Sequence, residues 1–198
     1  MRRSGGNFTE LTHASPQVQI GLPQLQRATR RPFELHGFWS KDPVPCDLDF
    51  VLGYRSQNGV AGIVRAGTEG FLERFPYLQL MNDDRTGGTG EKVYGALNGV
   101  FKHITWIGVG LFNTNPTVPI GSVREVGFAL RFDGMNPIVV MAQNGAIRSS
   151  ACTLAQLAIT KNGIQVLHDV GDVYTGDYPT GYEALMAHWN HCLWGSGK

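Results

Sequence analysis

Hydrophobic and polar residues alternate along much of the chain from Pro32 onward, with the period of two residues that is typical of β-strands. The alternation is clear in the segments FELHGFW, DLDFVLGY and EVGFALRF. The segment ITWIGVGLF is instead a continuous apolar run, too short for most helices and rich in β-forming residues, which predicts a core strand.

Turn sequences such as SQNG, DGMNP and KNG separate five further strand-like segments, which are VAGIVRA, PYLQLM, NPIVVMA, SACTLAQLAIT and IQVLHDV. The total is roughly nine strands at short, regular spacing, which indicates an antiparallel sandwich or barrel. The sequence has no internal repeat and no alternation of strands with helices, so nucleotide-binding α/β folds are disfavoured.

One helix is predicted near the C-terminus, in the segment PTGYEALMAHWNHCLW. Thr180 is suited to the N-cap position, because its hydroxyl can accept a hydrogen bond from the first turn. A helix here would place its apolar side chains on one side and cover an edge or face of the sheets; these side chains are Tyr182, Leu185, Met186, Trp189 and Leu193.

Residues 1–31 differ in composition from the rest of the chain. The first part is polar and rich in Gly, Ser and Thr, and the segment LQRATRRP is basic. We expect a flexible N-terminal arm, with a strand at VQIGL, followed by one β-rich domain over residues 32–198. The basic arm could bind an anionic partner, or it could be a solvated tail.

Composition narrows the class of protein. The 198 residues are 42% hydrophobic, which predicts a globular chain with a real core. The net charge of +1 argues against a general attraction to nucleic acid or to an anionic membrane. The three cysteines, Cys46, Cys152 and Cys192, form no CxxC pair, so the zinc-site pattern is missing and a reducing compartment is expected. No apolar stretch resembles a signal peptide or a membrane helix, so we expect a soluble, cytoplasmic protein without a transmembrane segment.

Sequence motifs of common enzymes are missing. The segment GGTGEK does not match a phosphate-binding loop, because Glu91 separates the last glycine from Lys92. Neither a GxSxG nucleophile elbow nor an HExxH motif is present. His188 and His191 could form a metal-binding pair on the predicted helix, or they could be ordinary surface histidines. We therefore expect a protein that is not an enzyme.

The segment LQLMNDDRTGGTGEK is the strongest candidate for a functional site. Asp83, Asp84 and Glu91 supply carboxylates, and the glycines allow the backbone to curl so that carbonyls point inward. Asp47 and Asp49 lie on one face of the predicted strand DLDFVLGY and could face the same point. Hard cations such as calcium bind carboxylates, carbonyls and water, so a cation site is one interpretation. The spacing does not match an EF-hand. The second interpretation is a plain surface turn in which Asp83 or Asp84 caps the backbone.

Several segments, taken in order, resemble the tellurium-resistance, or TerD-like, stress-protein family, and are most similar to its TerA-type members. CDLDFVLGY resembles the Asp-Leu-Asp strand of the family, and PYLQLMNDDRTGGTGE resembles its Asp-(Asp/Asn)-Arg-Thr-Gly loop. ITWIGVGLF resembles the apolar strand that follows, and GYEALMAHWNHCLWGSGK resembles the closing helix. The resemblance covers residues 32–198.

The resemblance implies a sandwich of two packed β-sheets that binds one or two calcium ions at one edge. It also implies a cytoplasmic, non-enzymatic role in tellurite resistance and stress response, with protein partners and a place in membrane-associated complexes. Carried over to this chain, the calcium ligands are seven residues. Asp47, Asp49, Asp83, Asp84 and Glu91 would act by side chain, and Thr86 and Gly88 by backbone or hydroxyl oxygen.

The chain also departs from the pattern that it resembles. Many members carry a longer acidic run after Arg-Thr-Gly, whereas this chain has GTGEK, with Glu91 followed by Lys92. Fewer carboxylates and a nearby ammonium group should weaken cation binding. Arg85 could neutralise an aspartate when no ion is bound.

Two functions are compatible with these observations. The first is a calcium-binding sandwich that acts as a binding module for a protein partner. The second is a structural or assembly subunit of a larger particle, in which the sandwich packs against neighbours and the basic arm of residues 1–31 becomes ordered on one of them.

Overall fold

Strands predominate over helices in the residues that the computed structural model describes, which are 7–28, 31–41, 46–142 and 147–194, with side chains as far as His191. The strands are β1 Thr9–Leu11, β2 Gln17–Gly21, β3 Phe33–Phe38, β4 Leu48–Ser56, β5 Ala61–Val64, β6 Gly70–Phe71, β7 Leu78–Leu80, β8 Glu91–Gly95, β9 Ile104–Asn113, β10 Gly127–Arg131, β11 Ile138–Met141, β12 Ala151–Thr160 and β13 Gly163–Val173. The α-helices are α1 Leu22–Arg27, α2 Leu97–His103 and α3 Gly181–Trp194.

The strands form two sheets. Sheet A has the order β1-β11-β10-β3-β8-β7-β6, and sheet B has the order β2-β13-β12-β9-β4-β5. Neighbouring strands are antiparallel, except that β1 is parallel to β11. The predicted all-β sandwich with a short C-terminal helix is confirmed, and each of the strand segments predicted from residue 32 onward contains a strand.

The main hydrophobic core lies between the two sheets. Phe33 and Phe128 from sheet A and Phe50 from sheet B are fully buried there. Burying a side chain of this size contributes about 2–3 kcal/mol. Gly37 in β3 allows the close approach of the sheets, because a Cβ at this position would lie 2.4 Å from the ring of Phe50.

Helix α3 covers the outer face of sheet B and forms a second apolar cluster. Leu185 and Trp189 are buried against Val51 and Trp106, and the two tryptophan rings meet edge to face at 5.8 Å. The predicted apolar side of the helix is confirmed as far as the side chains are described; that of Leu193 lies outside the described residues. No helix in the described parts of the chain is both long and apolar enough to cross a membrane.

The start of α3 has the capping arrangement that the sequence predicts. The backbone N–H of Glu183 donates to Thr180 Oγ1 at 3.4 Å, and the backbone N–H of Thr180 donates to Glu183 Oε2 at 3.1 Å. This reciprocal pair satisfies donors that have no partner within the helix.

The segment from Phe8 to Ala28, within the N-terminal arm expected at residues 1–31, contributes one strand to each sheet. Strand β1 pairs with β11 at the edge of sheet A, and β2 pairs with β13 at the edge of sheet B. Leu11, Ile20 and Leu25 are buried in the core between the sheets. Strand β2 lies where the sequence predicts a strand, at VQIGL. Residues 1–6, 29 and 30 lie outside the described part of the chain.

Candidate metal centre

Three aspartates from both sheets converge at one edge of the sandwich. Asp47, Asp49 and Asp83 each offer a carboxylate oxygen, and these oxygens all lie within 4.8 Å of one another. Asp47 directly precedes β4, Asp49 is the second residue of β4, and side chains two apart on a strand share a face. Asp83 belongs to the loop of residues 81–90, called the acidic loop here, which joins β7 to β8 of sheet A. We call these three residues the acidic triad.

The acidic triad is partly withdrawn from water. Asp49 is only 9% exposed. Burial and the charges of Asp47 and Asp83 raise the pKa of Asp49 to about 6, against the opposing charges of Arg65 and Arg85. Thr114 Oγ1 donates to Asp47 Oδ2 at 3.1 Å, whereas Asp47 Oδ1 is buried and accepts no hydrogen bond from the described residues. Buried carboxylate oxygens without a donor are costly unless a cation or water binds them.

Arg85 supplies an exposed counter-charge. Its Nε donates to Asp83 Oδ2 at 3.1 Å, and its side chain is 77% exposed. An ion pair this exposed to solvent is weak, so a cation could displace Arg85 at small cost.

Asp84 organises the acidic loop and lies outside the acidic triad. Its Oδ2 accepts hydrogen bonds from Thr89 N at 3.0 Å, Thr89 Oγ1 at 2.8 Å and Gly90 N at 2.8 Å. Its Oδ1 accepts from Thr86 N at 3.1 Å and Thr86 Oγ1 at 3.3 Å. Partial burial alone would raise the pKa of Asp84, but these hydrogen bonds lower it to about 2. The carboxylate thus fixes the conformation of the loop backbone through these hydrogen bonds.

Glu91 is fully buried and connects β4 to the acidic loop. Its Oε2 accepts from Phe50 N at 2.8 Å, and its Oε1 accepts from Asp84 N at 3.3 Å. Burial and the charges of Asp49 and Asp83 raise the pKa of Glu91 to about 8, although the two backbone hydrogen bonds favour the carboxylate. Glu91 therefore braces the strand that carries Asp49 and is not one of the three converging residues.

The remaining predicted ligands shape the tip of the loop. The hydroxyl of Thr86 can donate either to Asp84 Oδ1 at 3.3 Å or to the carbonyl of Gly87 at 3.4 Å. Gly88 has a φ of +103° and donates its N–H to the carbonyl of Trp39 at 3.3 Å. Both residues thus belong to the loop scaffold, and neither is one of the three converging residues.

Lys92 points away from the acidic triad, contrary to the expectation that its ammonium group would lie near the site. Side chains alternate along β8, so the neighbour of the buried Glu91 projects to the outer face of sheet A. There Lys92 Nζ lies 3.4 Å from Glu34 Oε2, and Arg131 and Tyr94 bind the same carboxylate.

Arg65, which follows β5, was not identified from the sequence. Its guanidinium carbon lies 3.9 Å from the centroid of the Tyr182 ring, at the start of α3. Its charge favours the ionised form of Asp49. An arginine at the end of a strand carries no local signal of such a role, because the contact joins residues distant in sequence.

His188 and His191, which could be a metal-binding pair or ordinary surface histidines, belong to no group of three or more potential ligands among the described residues. His188 is half-buried and His191 is exposed on α3. Within the described residues, the acidic triad is the one group of three or more His, Cys, Asp or Glu side chains with suitable geometry for an ion. Three carboxylates with a buried unpartnered oxygen fit a hard cation that water or carbonyl oxygens would complete.

Comparison with known proteins supports the fold. No family model matches the sequence, and no curated protein matches it. A solved structure described as unknown function protein SAV2460 aligns with a TM-score of 0.55 and 19% identity, over 71% of this chain and 88% of that chain. A homologue of the telluride resistance protein TerD, SCO6318 from Streptomyces coelicolor A3(2), aligns with a TM-score of 0.51 and 17% identity, over 71% and 89%. The fold is therefore a TerD-like sandwich, as the sequence resemblance predicted.

Proposed function

We propose that this chain is a calcium-binding β-sandwich protein of the tellurite-resistance and stress-response type, which acts as a binding module and not as an enzyme. The observation that carries the proposal is the convergence of Asp47, Asp49 and Asp83 within 4.8 Å at one sandwich edge. The likeness in fold to a TerD homologue supports the same assignment.

The chemistry of the acidic triad favours calcium. All three side chains offer oxygen, which hard cations prefer, and no soft thiolate or imidazole belongs to the cluster. The charge of three carboxylates exceeds that of Arg65 and Arg85 by one, so a divalent ion would relieve the repulsion that raises the pKa of Asp49. One triad supports one ion.

Ion binding would tie together parts of both sheets. Asp47 and Asp49 belong to the β4 segment of sheet B, whereas Asp83 belongs to the acidic loop of sheet A. An ion among them would hold the acidic loop against β4 and fix the shape of this edge. We propose that a protein partner recognises that shape, in the cytoplasm and within a peripheral membrane complex.

A calcium titration of metal-stripped protein, by calorimetry and by thermal melts in calcium and in chelator, tests the proposal. At a free calcium concentration of about 100 Kd we expect stabilisation by about 2.7 kcal/mol, which corresponds to about 5–10 °C in Tm. Asp47→Asn and Asp83→Asn should abolish this shift and leave stability in chelator unchanged or higher, because each removes a repulsive charge.

Asp133→Asn is the matched control, because Asp133 is an exposed turn residue outside the acidic triad. It should bind calcium like the unaltered protein. Equal losses of stability in calcium and in chelator for the triad variants would contradict an ion-binding role.

The alternative of an assembly subunit would use both the sandwich and the basic arm of residues 1–31 for packing. Residues 9–11 and 17–21 of that segment are strands of the sandwich itself. No observation in the described residues favours this alternative over the binding module.

A further inference from the structure

We propose that Arg65 couples the cation site to helix α3. Arg65 acts as an internal cation that competes with the bound ion for Asp49, and it also contacts the ring of Tyr182. Ion binding therefore loosens the first turn of α3. This inference rests on the proposed cation-binding function and concerns the regulation of that same site.

The strand register places Arg65 on the same side of sheet B as Asp49. Leu52 of β4 pairs with Val64 of β5, so the next residues on the two antiparallel strands, Val51 and Arg65, are neighbours at the end of β5. Asp49 lies two residues before Val51 and therefore shares its face. Val51 packs in the cluster under α3, so this is the face that the helix covers.

Helix α3 contacts Arg65 through Tyr182. The guanidinium carbon lies 3.9 Å from the centroid of the ring, which is a cation–π contact. The same ring lies 6.0 Å from that of Phe112, and Phe112 is paired with Asp49 across β9 and β4. The guanidinium is thus held at the border between the helix and the acidic triad.

Apart from Tyr182 and Asp49, Arg65 has few partners among the described residues for its charge and its N–H groups. Its Nη1 donates to the carbonyl of Ala66, but its Nε is buried and finds no acceptor among the described residues. A partly desolvated guanidinium depends on the charges and rings around it more than an exposed one does. Arg65 and Asp49 carry opposite charges on the same face of neighbouring strands, so the two side chains attract each other.

A divalent ion in the acidic triad would reverse this balance. The carboxylate of Asp49 would be neutralised by the ion, and Arg65 would face a positive charge that water screens poorly at a buried site. The repulsion must either weaken ion binding or weaken the hold of Arg65 on Tyr182. Coupling free energies are reciprocal, so the loss of ion affinity and the weakening of the Arg65–Tyr182 contact report the same coupling free energy.

The first turn of α3 is where the effect should be visible. Tyr182 is its second residue, and besides the Thr180–Glu183 capping pair the contact with Arg65 secures this end of the helix. Loosening here would uncover part of the apolar cluster that includes Val51 and Phe112. The ion would then control access to an apolar surface on sheet B.

Calorimetric titration with calcium chloride of the full chain and three variants tests the inference. Arg65→Met keeps the aliphatic packing but removes the charge, and we expect calcium affinity to rise about five-fold or more. Tyr182→Leu removes the cation–π contact and should also change the affinity, whereas Tyr182→Phe keeps the ring and should bind calcium like the unaltered protein. Hydrogen exchange of the amides in the first turn of α3 should become faster in calcium than in chelator.

The outcomes separate the two proposals. Calcium binding by the unaltered protein with the same affinity in Arg65→Met and Tyr182→Leu would overturn the coupling and leave the cation site intact. Failure of the unaltered protein to bind calcium would overturn the proposed function and the coupling together. A double-mutant cycle of Arg65→Met and Asp49→Asn, measured by urea unfolding in chelator, adds a readout without metal, and a zero interaction between the two side chains would also overturn the coupling.

Discussion

Glu91 has a carboxyl group with no surface exposed to solvent, in direct contact with the backbone of β4 and of the acidic loop. Such a group is stable in the protonated form, because transfer of its charge from water is costly. Its pKa of about 8 exceeds the ordinary value of 4.5. The folded state therefore binds a proton more tightly than the unfolded chain does.

This difference predicts a pH dependence of stability in chelator. The stabilisation from protonated Glu91 is fully present below the unfolded pKa of 4.5 and is lost as pH rises through the folded pKa of about 8. We expect the free energy of unfolding to be lower at pH 9 than at pH 6 by about 2–3 kcal/mol. Urea unfolding at the two pH values measures this directly.

Glu91→Gln should flatten the decline between pH 6 and pH 9, although the variant loses an acceptor for one backbone N–H and is less stable overall. The exposed Glu73→Gln variant is the matched control and should keep the full slope. Calcium should reduce the slope in the unaltered protein, because a nearby cation favours ionised carboxyls. A Glu91→Gln variant with the original slope would show that groups other than Glu91 cause the pH dependence of stability.

At the scale of a single element, the acidic loop is a folded unit in its own right. The carboxylate of Asp84 accepts five hydrogen bonds from within the loop, and Asn82 closes its base by donating to the carbonyl of Gly90 at 2.7 Å. Gly87 has a φ of +75° and packs against Trp39, where a Cβ would lie 2.7 Å from the indole ring. The loop therefore presents Asp83 from a defined backbone.

Asp84→Ala should destabilise the protein in calcium and in chelator alike. Loss of these hydrogen bonds leaves loop N–H groups without their acceptor, and we expect a cost of about 2 kcal/mol after allowance for solvent. Thermal melts of Asp84→Ala beside Asp83→Asn distinguish a scaffold residue from a ligand, since Asp83→Asn should matter in calcium only. A loss for Asp84→Ala confined to calcium would instead make Asp84 a ligand.

Most elements could be predicted from the sequence, because their side chains alternate between the core and the outside. Strand β8 was not predicted from the sequence. It begins with Glu91, an acidic residue that the pattern assigns to a polar loop but that is buried in the structure. Strand β1 is only three residues long, and its partner β11 is far away in sequence. Neither case carries a local signal, since the pairing is decided by the rest of the sheet.

The candidate site was predicted in outline. The sequence brought together Asp47, Asp49 and Asp83 as carboxylates near one point, and the structure gives them that geometry. It could not distinguish these from Asp84, because adjacent residues in a loop point in directions that only the backbone conformation decides. It also could not place Arg65, whose role depends on contacts with α3.

For the whole molecule, the N-terminal segment completes both sheets, with β1 at the edge of sheet A and β2 at the edge of sheet B. Deletion of residues 1–21 should remove the buried side chains of Leu11 and Ile20. We expect a loss of about 3–6 kcal/mol, from about 1.5–3 kcal/mol for each side chain. Urea unfolding measures the loss.

The same deletion exposes the unpaired edges of β11 and β13, which can pair with another chain. Sizing with light scattering should therefore show more self-association than the unaltered protein shows. Deletion of residues 1–6 alone is the control, because it leaves β1 and β2 in place. A shortened chain with unchanged stability would mean that these strands contribute little to the sandwich.

The position of β1 and β2 also has a consequence for synthesis. Strands β1 and β2 are made before their partners β11 and β13, which lie far along the chain. Neither sheet can reach its full width before β11 and β13 have been synthesised, so β1 and β2 stay unpaired until then. Folds with such distant pairings form slowly, and their incomplete states expose strand edges. The nascent protein is therefore most open to aggregation, and most dependent on chaperones, during the time needed to translate its middle.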